Sequence, residues 1–386
     1  MDNVCHTLVG AALAQSGLKK RSPLATITLL IAANIPDVDV LSLFWGGTAG
    51  LGFRRGWTHG ILAVPLWPFL LAGAVVLFDR GITKRGARFW PLVLVSFVGV
   101  VSHPLLDLLN TYGVRLLMPF SDRWFYGDTL FIVDIWVWIM LAFGVLFSVR
   151  WERQGRVAWT SPARAALAAA AVYTGGMFVV GRLAEGQVRF ELKTQGVPAV
   201  RVLASPRPVM PVGRDIVVDE GDEYLVGSLD AGGNLVEQGH WPKHDPLDED
   251  EDPSVAAAAA VPDAEVFLRW ARFPTYVVDR RGGRPVVHFI DLRYAHSPDD
   301  LFGTLAVPLP NDQVASATRG PVVVSHFRTA GRPSSGSRAF QTVIARMRCP
   351  AAVGWMPSAW LRVSIPPTPW RTNGTRGTSR SRAASR

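Results

Sequence analysis

The stretch NIPDVDVLSLFWGGTAGLGFRRGWTHGILAV, residues 34–64, places two aspartates, two arginines and one histidine between apolar segments. Ionisable side chains beside a membrane core cost free energy, and chains keep them there mainly for a function. Pro36 favours the end of a helix near Ile35, so Asp37 and Asp39 fall on a loop or a new turn. In extended geometry these two carboxylates point the same way, toward one cation or bridging two. The alternative is a helix-capping aspartate beside a solvated one.

The sequence around this stretch predicts a membrane protein. Hydrophobic residues make up 49% of the 386-residue chain. Four apolar stretches approach the roughly 20 residues that a spanning helix needs, and their only charged or histidine side chains are His103 and Asp134. The four are residues 60–78, 89–106, 130–149 and 165–181, and two shorter stretches are residues 7–18 and 23–35. The expected fold is therefore a membrane α-helical bundle with four spans plus two short N-terminal helices.

The composition changes after Leu183. The segments QVRFELKT, RDIVVD, EYLVGSL and PVVHFIDLRY alternate apolar and polar residues or are β-branched, and Gly, Pro and Asp separate them. We therefore divide the chain into a helical membrane domain, 1–184, and a small β-rich domain, 185–326, with an acidic loop near 244–253. The tail, 327–386, is basic and rich in Ser, Pro and Gly, and we expect it to be disordered.

Charge and cysteine content exclude two classes of function. The net charge of +9 comes from the tail, which carries many arginines and no acidic residue. The main body is close to neutral, so we expect no specific nucleic-acid partner. The two cysteines, Cys5 and Cys349, lie far apart, which argues against a disulfide framework and against a thiolate zinc site.

Basic residues also predict how the spans are oriented. The connections at 79–88 and 150–156 are rich in Arg and Lys, as is the sequence KKR at 19–21. Such connections favour the cytoplasmic side. The chain is then a multi-pass protein of the inner membrane, and its ionisable residues and β-rich domain lie on the extracytoplasmic side.

The segment SHPLLDLLNTYG, residues 102–113, gives the sharpest local signal. His103 and Asp107 are four residues apart, so they share one face of a helix. Pro104 is expected to kink the helix at His103, with a final helical turn after it. The alternative interpretation is a buried histidine that bonds to its own helix neighbour.

Other segments bring the same residue types to this end of the bundle. In RRGWTHG, His59 is expected in the first turn of a long helix, and Arg55 could bind an anionic oxygen. His6 lies on the first short helix, where a structural histidine is the alternative. Asp128 is a candidate ligand, a partner of a histidine, or a cap of the third long helix. Imidazole and carboxylate groups without sulfur are typical of a catalytic zinc site with an open position.

Taken together, these motifs resemble a known family. HTLVG near the start, N-x-P-D-x-D, R-R-G-x-T-H, S-H-P-x-x-D-x-x-N-T-Y-G and R-W-x-Y-G-D are similar to the membrane-bound metal-dependent hydrolases, a YdjM-like group of prokaryotic proteins. The likeness is close over residues 1–150 and looser in VVHFIDLRY. It implies a divalent-metal hydrolase but no particular substrate. The matching metal positions are His6, Asp37, Asp39, His59, His103 and Asp107.

The expected function is hydrolysis of an ester or phosphoester that is lipid-derived or amphiphilic. A divalent metal would activate the attacking water, and the ligand types indicate zinc. Asp39 or Asp128 would accept the proton, and Arg55 would stabilise negative charge. Membrane lipids and a lipid-like or phosphorylated substrate would be the partners. One alternative is a structural metal clamp without catalysis. Another is a scaffold that recruits partners through the β-rich domain and the tail.

Reporter fusions test the orientation. A reporter fused after Gly81 should report a cytoplasmic location, because the basic connection at this position favours the cytoplasmic side. A fusion after Gly186 should report the extracytoplasmic side. An extracytoplasmic location for residue 81 would contradict the predicted orientation.

Overall fold

A computed structural model describes residues 1–230, 232–244, 252–281 and 284–309. The tail 327–386, the end of the β-rich domain from residue 310, and most of the acidic loop, 245–251, lie outside the described residues.

Helices form the first half of the molecule. They are α1 (Asn3–Gln15), α2 (Ala25–Ala32), α3 (Gly47–Phe53), α4 (Ala63–Phe78), α5 (Phe89–Leu108), α6 (Ile135–Arg153) and α7 (Ser161–Gln195). A 3-10 helix, Ile35–Trp45, joins α2 to α3, and a short π-helical turn extends α4 to Thr83. Among the described residues, α4 with its extension, α5, α6 and α7 are long and apolar enough to cross a membrane. The predicted bundle of four spans plus short N-terminal helices is confirmed.

Local signals explain where two of these helices begin. Asp2 caps α1 by accepting from the backbone N–H groups of Val4 and Cys5. Asp134 caps α6 by accepting from the backbone N–H groups of Trp136 and Val137. The third long helix therefore starts about five residues later than its apolar stretch, and the expectation that Asp128 caps it is wrong.

Small residues allow close packing of α1, α2 and α5. A Cβ atom on Gly10 of α1 would lie 2.9 Å from the carbonyl oxygen of Leu29, and one on Gly99 of α5 would lie 2.7 Å from Cβ of Ala32. Only glycine permits these contacts, which is the usual way membrane helices approach one another. As a result, α2 and α5 come close enough for side chains of α5 to bond to the end of α2.

The second half contains two antiparallel sheets. The first has the order β1 (Arg201–Pro206), β2 (Arg214–Asp219), β3 (Glu223–Leu229) and β4 (Leu235–Pro242). Two short helices follow, α8 (Pro253–Ala259) and α9 (Pro262–Trp270). The second sheet has the order β5 (Pro274–Asp279), β6 (Val286–Asp291) and β7 (Thr304–Pro308). The C-terminal β-rich part of the fold is thus confirmed.

The segment QVRFELKT is not a strand, because it lies within α7, which continues to Gln195. Ala184, Val188 and Leu192 recur every four residues and pack on the first sheet, whereas Phe190 is exposed. The helix therefore extends beyond residue 184, the expected end of the helical domain, and one of its faces covers β1–β3.

The β-rich part is fastened to the loop that follows α5. The side chain of Arg293 is fully buried and forms an ion pair with Asp291. It also donates to the carbonyl oxygens of Thr111 at 2.6 Å and Trp270 at 2.9 Å. Burial lowers the pKa of Arg293, but Asp291 together with Tyr294 and Tyr126 raises it by more in total, so the guanidinium stays charged. Trp270 in turn donates from Nε1 to the carbonyl oxygen of Tyr112 at 3.1 Å.

Replacing Arg293 with alanine should destabilise the fold. The change leaves Asp291 as an unpaired buried charge, which typically costs about 3–5 kcal/mol. Arg281→Ala is the matched control: its side chain is 91% exposed in its pair with Asp279, and its loss should cost below about 0.5 kcal/mol. Thermal unfolding in detergent measures both variants, and equal midpoints would contradict the bridging role of Arg293.

Candidate metal centre

Two imidazoles and two carboxylates meet at one end of the bundle. Asp37 comes from the 3-10 helix, His59 from the turn before α4, and His103 and Asp107 from α5. One ligand atom of each lies within 4.8 Å of the others. The side chains of His59, His103 and Asp107 are fully buried, and that of Asp37 is 8% exposed. Residues far apart along the chain thus form a single buried centre.

The separations between these atoms match those around a tetrahedral ion. Nε2 of His59 lies 3.1 Å from Nε2 of His103. Oδ2 of Asp107 lies 3.3 Å and 3.5 Å from these two nitrogens, and Oδ1 of Asp37 lies 3.8 Å and 3.6 Å from them. Metal–ligand bonds of about 2.1 Å in a tetrahedron place ligand atoms ~3.4 Å apart. The spacing therefore fits a zinc-sized ion.

Hydrogen bonds set which imidazole nitrogens face the centre with a lone pair. Nδ1 of His103 lies 2.7 Å from the carbonyl oxygen of Ala33, which can only accept, so this nitrogen carries the proton. Nδ1 of His59 lies 2.9 Å from Oγ1 of Thr58 and 3.3 Å from Oδ2 of Asp39. The carboxylate favours a proton on this nitrogen as well. When each imidazole is neutral and carries its proton on Nδ1, both Nε2 atoms offer lone pairs to a cation at the centre.

Asp39 lies behind His59 and not among the four ligands. Its Oδ2 accepts from the backbone N–H of Arg55 at 2.8 Å and from Oγ1 of Thr58 at 2.9 Å. Its Oδ1 lies 3.4 Å from Nε of Arg54. Because these bonds and His59 occupy both oxygens, Asp39 orients His59 rather than contacting the centre itself.

Arg55 holds Asp107 and the loop after α5. Its Nη2 lies 3.2 Å from Oδ1 of Asp107, and Nη1 donates to Oδ1 of Asn110 at 3.1 Å and to the carbonyl oxygen of Gly113 at 3.2 Å. The guanidinium also lies over the ring of Tyr112, 4.5 Å from its centroid. These bonds commit the guanidinium to its protein partners.

His6 lies directly beside the centre. Its ring stacks on that of His103 with centroids 3.7 Å apart, and its Nε2 is 3.4 Å from Oδ1 of Asp107. Within the described residues, neither ring nitrogen of His6 forms a hydrogen bond. The α-amino group of Met1 bonds to the same Asp107 oxygen. Oδ2 of Asp107 therefore faces His59 and His103, whereas its Oδ1 faces His6.

Asp128 does not join the centre. Both of its carboxylate oxygens accept from Nη1 of Arg272 at 2.8 Å, so it serves the connection between the bundle and the β-rich part.

Two local expectations from the sequence need correction. Helix α5 includes Pro104 and continues to Leu108, so the turn after Pro104 is part of the same helix, and His103 and Asp107 share one helical face as predicted. The bonds of these two side chains to α2 and Arg55 hold this last turn in place of the backbone bond that proline cannot make. His59 precedes α4, which begins at Ala63, and does not lie in its first turn.

Sequence reasoning missed the role of Arg54 at this centre. Its side chain is 13% exposed, and its nitrogens lie 3.7 Å from Oδ1 of Asp37 and 3.4 Å from Oδ1 of Asp39. Arg54 and Arg55 are adjacent in the sequence, and only the tertiary contacts show that Arg54 reaches Asp37 whereas Arg55 reaches Asp107.

The fold and this centre together define a multi-pass membrane protein with a buried His/Asp cluster that could hold a metal ion. Residues 1–183 match the model of the YdjM inner membrane protein family, which confirms the resemblance to the YdjM-like group for the helical part of the chain. The uncharacterised protein YfhP of Bacillus subtilis (strain 168) is 28% identical over 134 residues. This match covers 32% of the present chain and 39% of YfhP. No solved structure matches the chain.

Zinc content tests the ligand set. His103→Ala and Asp107→Asn should abolish high-affinity zinc at this centre, because the first removes a ligand atom and the second removes the negative charge of a ligand. Asp39→Asn should retain zinc with about 10–100-fold lower affinity, as expected for a group that orients a ligand. Asp128→Asn is the control and should bind zinc like the wild type. Metal analysis of protein purified in detergent measures all four, and wild-type zinc content in His103→Ala would contradict the ligand set.

Proposed function

We propose that this protein is a membrane-embedded, metal-dependent hydrolase that acts on an ester or phosphoester. The observation that carries the proposal is the set of four nitrogen and oxygen atoms from Asp37, His59, His103 and Asp107, spaced to hold one divalent ion. The match to an inner membrane protein family agrees with the membrane location. Zinc is the metal that best suits two imidazoles and two carboxylates.

A bound divalent ion would lower the pKa of a water molecule and polarise the scissile bond. The chain supplies the rest. Ala33 and Asp39 fix the orientation of His103 and His59, and Arg55 fixes Asp107. We therefore assign Asp39 and Arg55 positioning roles in place of the proton transfer and charge stabilisation expected from the sequence. His6 is the buried base left beside the centre, with no hydrogen bond to either nitrogen among the described residues.

Access to the centre is best from the side of Asp37. Asp37 is the only one of the four ligands with measurable side-chain exposure, and Arg54 lies next to it. A guanidinium at the entrance suits an anionic oxygen such as that of a phosphoester. The 3-10 helix that carries Asp37 ends in Phe44 and Trp45, which are 87% and 70% exposed. Apolar surface beside a cationic entrance favours a lipid-derived substrate.

One feature favours a second candidate function, a structural metal clamp. Four protein ligands complete a tetrahedral shell, and closed shells are typical of structural zinc, whereas catalytic zinc keeps a position open. A hydrolase therefore requires Asp37, the exposed ligand, to move aside or the shell to expand to five ligands. A clamp requires neither change.

Turnover separates the two functions. The zinc-loaded protein should hydrolyse at least one member of a panel of lipid and soluble phosphoesters and esters. Arg54→Gln should reduce kcat/KM about 10–100-fold with an unchanged zinc content, as expected for the loss of a charge-assisted hydrogen bond of ~1.5–3 kcal/mol. Arg281→Ala, at an exposed arginine of the β-rich part, is the control and should leave kcat/KM unchanged. No turnover on any substrate, together with a lower thermal midpoint when zinc is removed, would support the clamp instead.

A further inference from the structure

A second group of metal-ligand side chains lies in the β-rich part, away from the bundle. Glu220 follows β2, Glu223 begins β3, and His240 lies on β4 opposite Leu225. One ligand atom of each lies within 4.8 Å of the other two. The turn that presents them is tight, because the backbone N–H of Glu220 donates to the carbonyl oxygen of Glu223 at 3.0 Å. Three strands of one sheet thus bring these groups to a single point.

Their geometry differs from that of a simple ion pair. Nδ1 of His240 lies 3.4 Å from Oε2 of Glu220 and 3.4 Å from Oε1 of Glu223. Within the described residues it forms a hydrogen bond of good geometry with neither oxygen. Both separations equal the ~3.4 Å between ligands of a tetrahedral ion with bonds of about 2.1 Å. The carboxylate of Glu237 lies 4.0 Å from Nε2, on the other side of the ring.

The carboxylate of Glu220 supplies an independent indication of a ligand. Its side chain is only 9% exposed, and its Oε1 has no hydrogen-bond partner among the described residues. A buried carboxylate oxygen without a partner is costly. Burial is the main cause of the raised pKa of Glu220; His240 lowers this pKa, and the nearby carboxylates of Glu223 and Glu237 raise it. A cation at this point would bind the unpartnered oxygen and reduce the repulsion among the three carboxylates.

We propose that Glu220, Glu223 and His240 bind a second divalent cation, of the zinc class, independently of the centre in the bundle. Oxygen and imidazole ligands select such ions, and a solvent molecule would complete the fourth position. The ion links the β2–β3 turn to β4, so its role is to stabilise the first sheet. This proposal goes beyond the hydrolase function and does not depend on it.

Zinc stoichiometry of the full chain in detergent tests the proposal. After equilibration with Zn²⁺ and removal of excess, His240→Ala and Glu220→Gln should each bind one zinc fewer per chain than the wild type. The readout is the difference in zinc per chain between variant and wild type, so the result does not depend on how much zinc the bundle centre binds. Zinc should also raise the thermal midpoint of His103→Ala, in which the bundle centre is disrupted, but not that of His103→Ala/His240→Ala.

His288→Ala is the matched control, because His288 lies on β6 of the other sheet and belongs to neither cluster. It should bind as much zinc as the wild type. Glu220→Gln keeps the size of the side chain, so it decides the outcome if His240→Ala does not fold. Wild-type zinc content in Glu220→Gln and in a folded His240→Ala would overturn the proposal and leave an ordinary His–Glu ion pair.

Discussion

The helical half of this protein depends on one electrostatic constraint. Two imidazole nitrogens and two carboxylate oxygens face one another in a space where three of the four side chains are fully buried. Uncompensated, such an arrangement is unfavourable, because buried acceptors need a proton donor or a cation. Arg55 contacts the outer oxygen Oδ1 of Asp107, and Arg54 lies 3.7 Å from Oδ1 of Asp37, so each arginine reaches one of these two carboxylates. A divalent cation in the middle satisfies all four groups at once.

The rest of the bundle can be understood as support for this point. Gly10 and Gly99 let α1 and α5 approach α2 closely. That approach brings the carbonyl oxygen of Ala33 to Nδ1 of His103 and so fixes its tautomer. On the other side, Arg55 links Asp107 to the loop after α5, and the β-rich part holds the same loop through Arg293. Among the described residues, the β-rich part contacts this loop through backbone groups of Thr111 and Tyr112 and through the Thr111 hydroxyl, and it contributes no side chain to the four-residue cluster. This arrangement indicates positioning rather than chemistry.

The sequence predicted features that depend on local spacing. Uncharged stretches of nearly 20 residues predicted the spans, and the four-residue interval predicted that His103 and Asp107 share a helix face. The local sequence does not distinguish the roles of Asp37 and Asp39. Only the tertiary contacts with Arg55 and Thr58 place Asp39 behind His59. Asp128 could not be assigned either, because its partner Arg272 lies 144 residues away. The segment with Val188, Phe190 and Leu192 alternates like a strand, yet it is helical. Val188 and Leu192, four residues apart, pack on the first sheet, whereas Phe190 between them is exposed.

Anomalous scattering at the zinc absorption edge, from crystals of the zinc-loaded protein, tests the central claim most directly. The account predicts a strong peak about 2.0–2.2 Å from Nε2 of His59, Nε2 of His103, Oδ2 of Asp107 and Oδ1 of Asp37. A difference map with no peak between these four side chains, while zinc is visible elsewhere in the crystal, would contradict it.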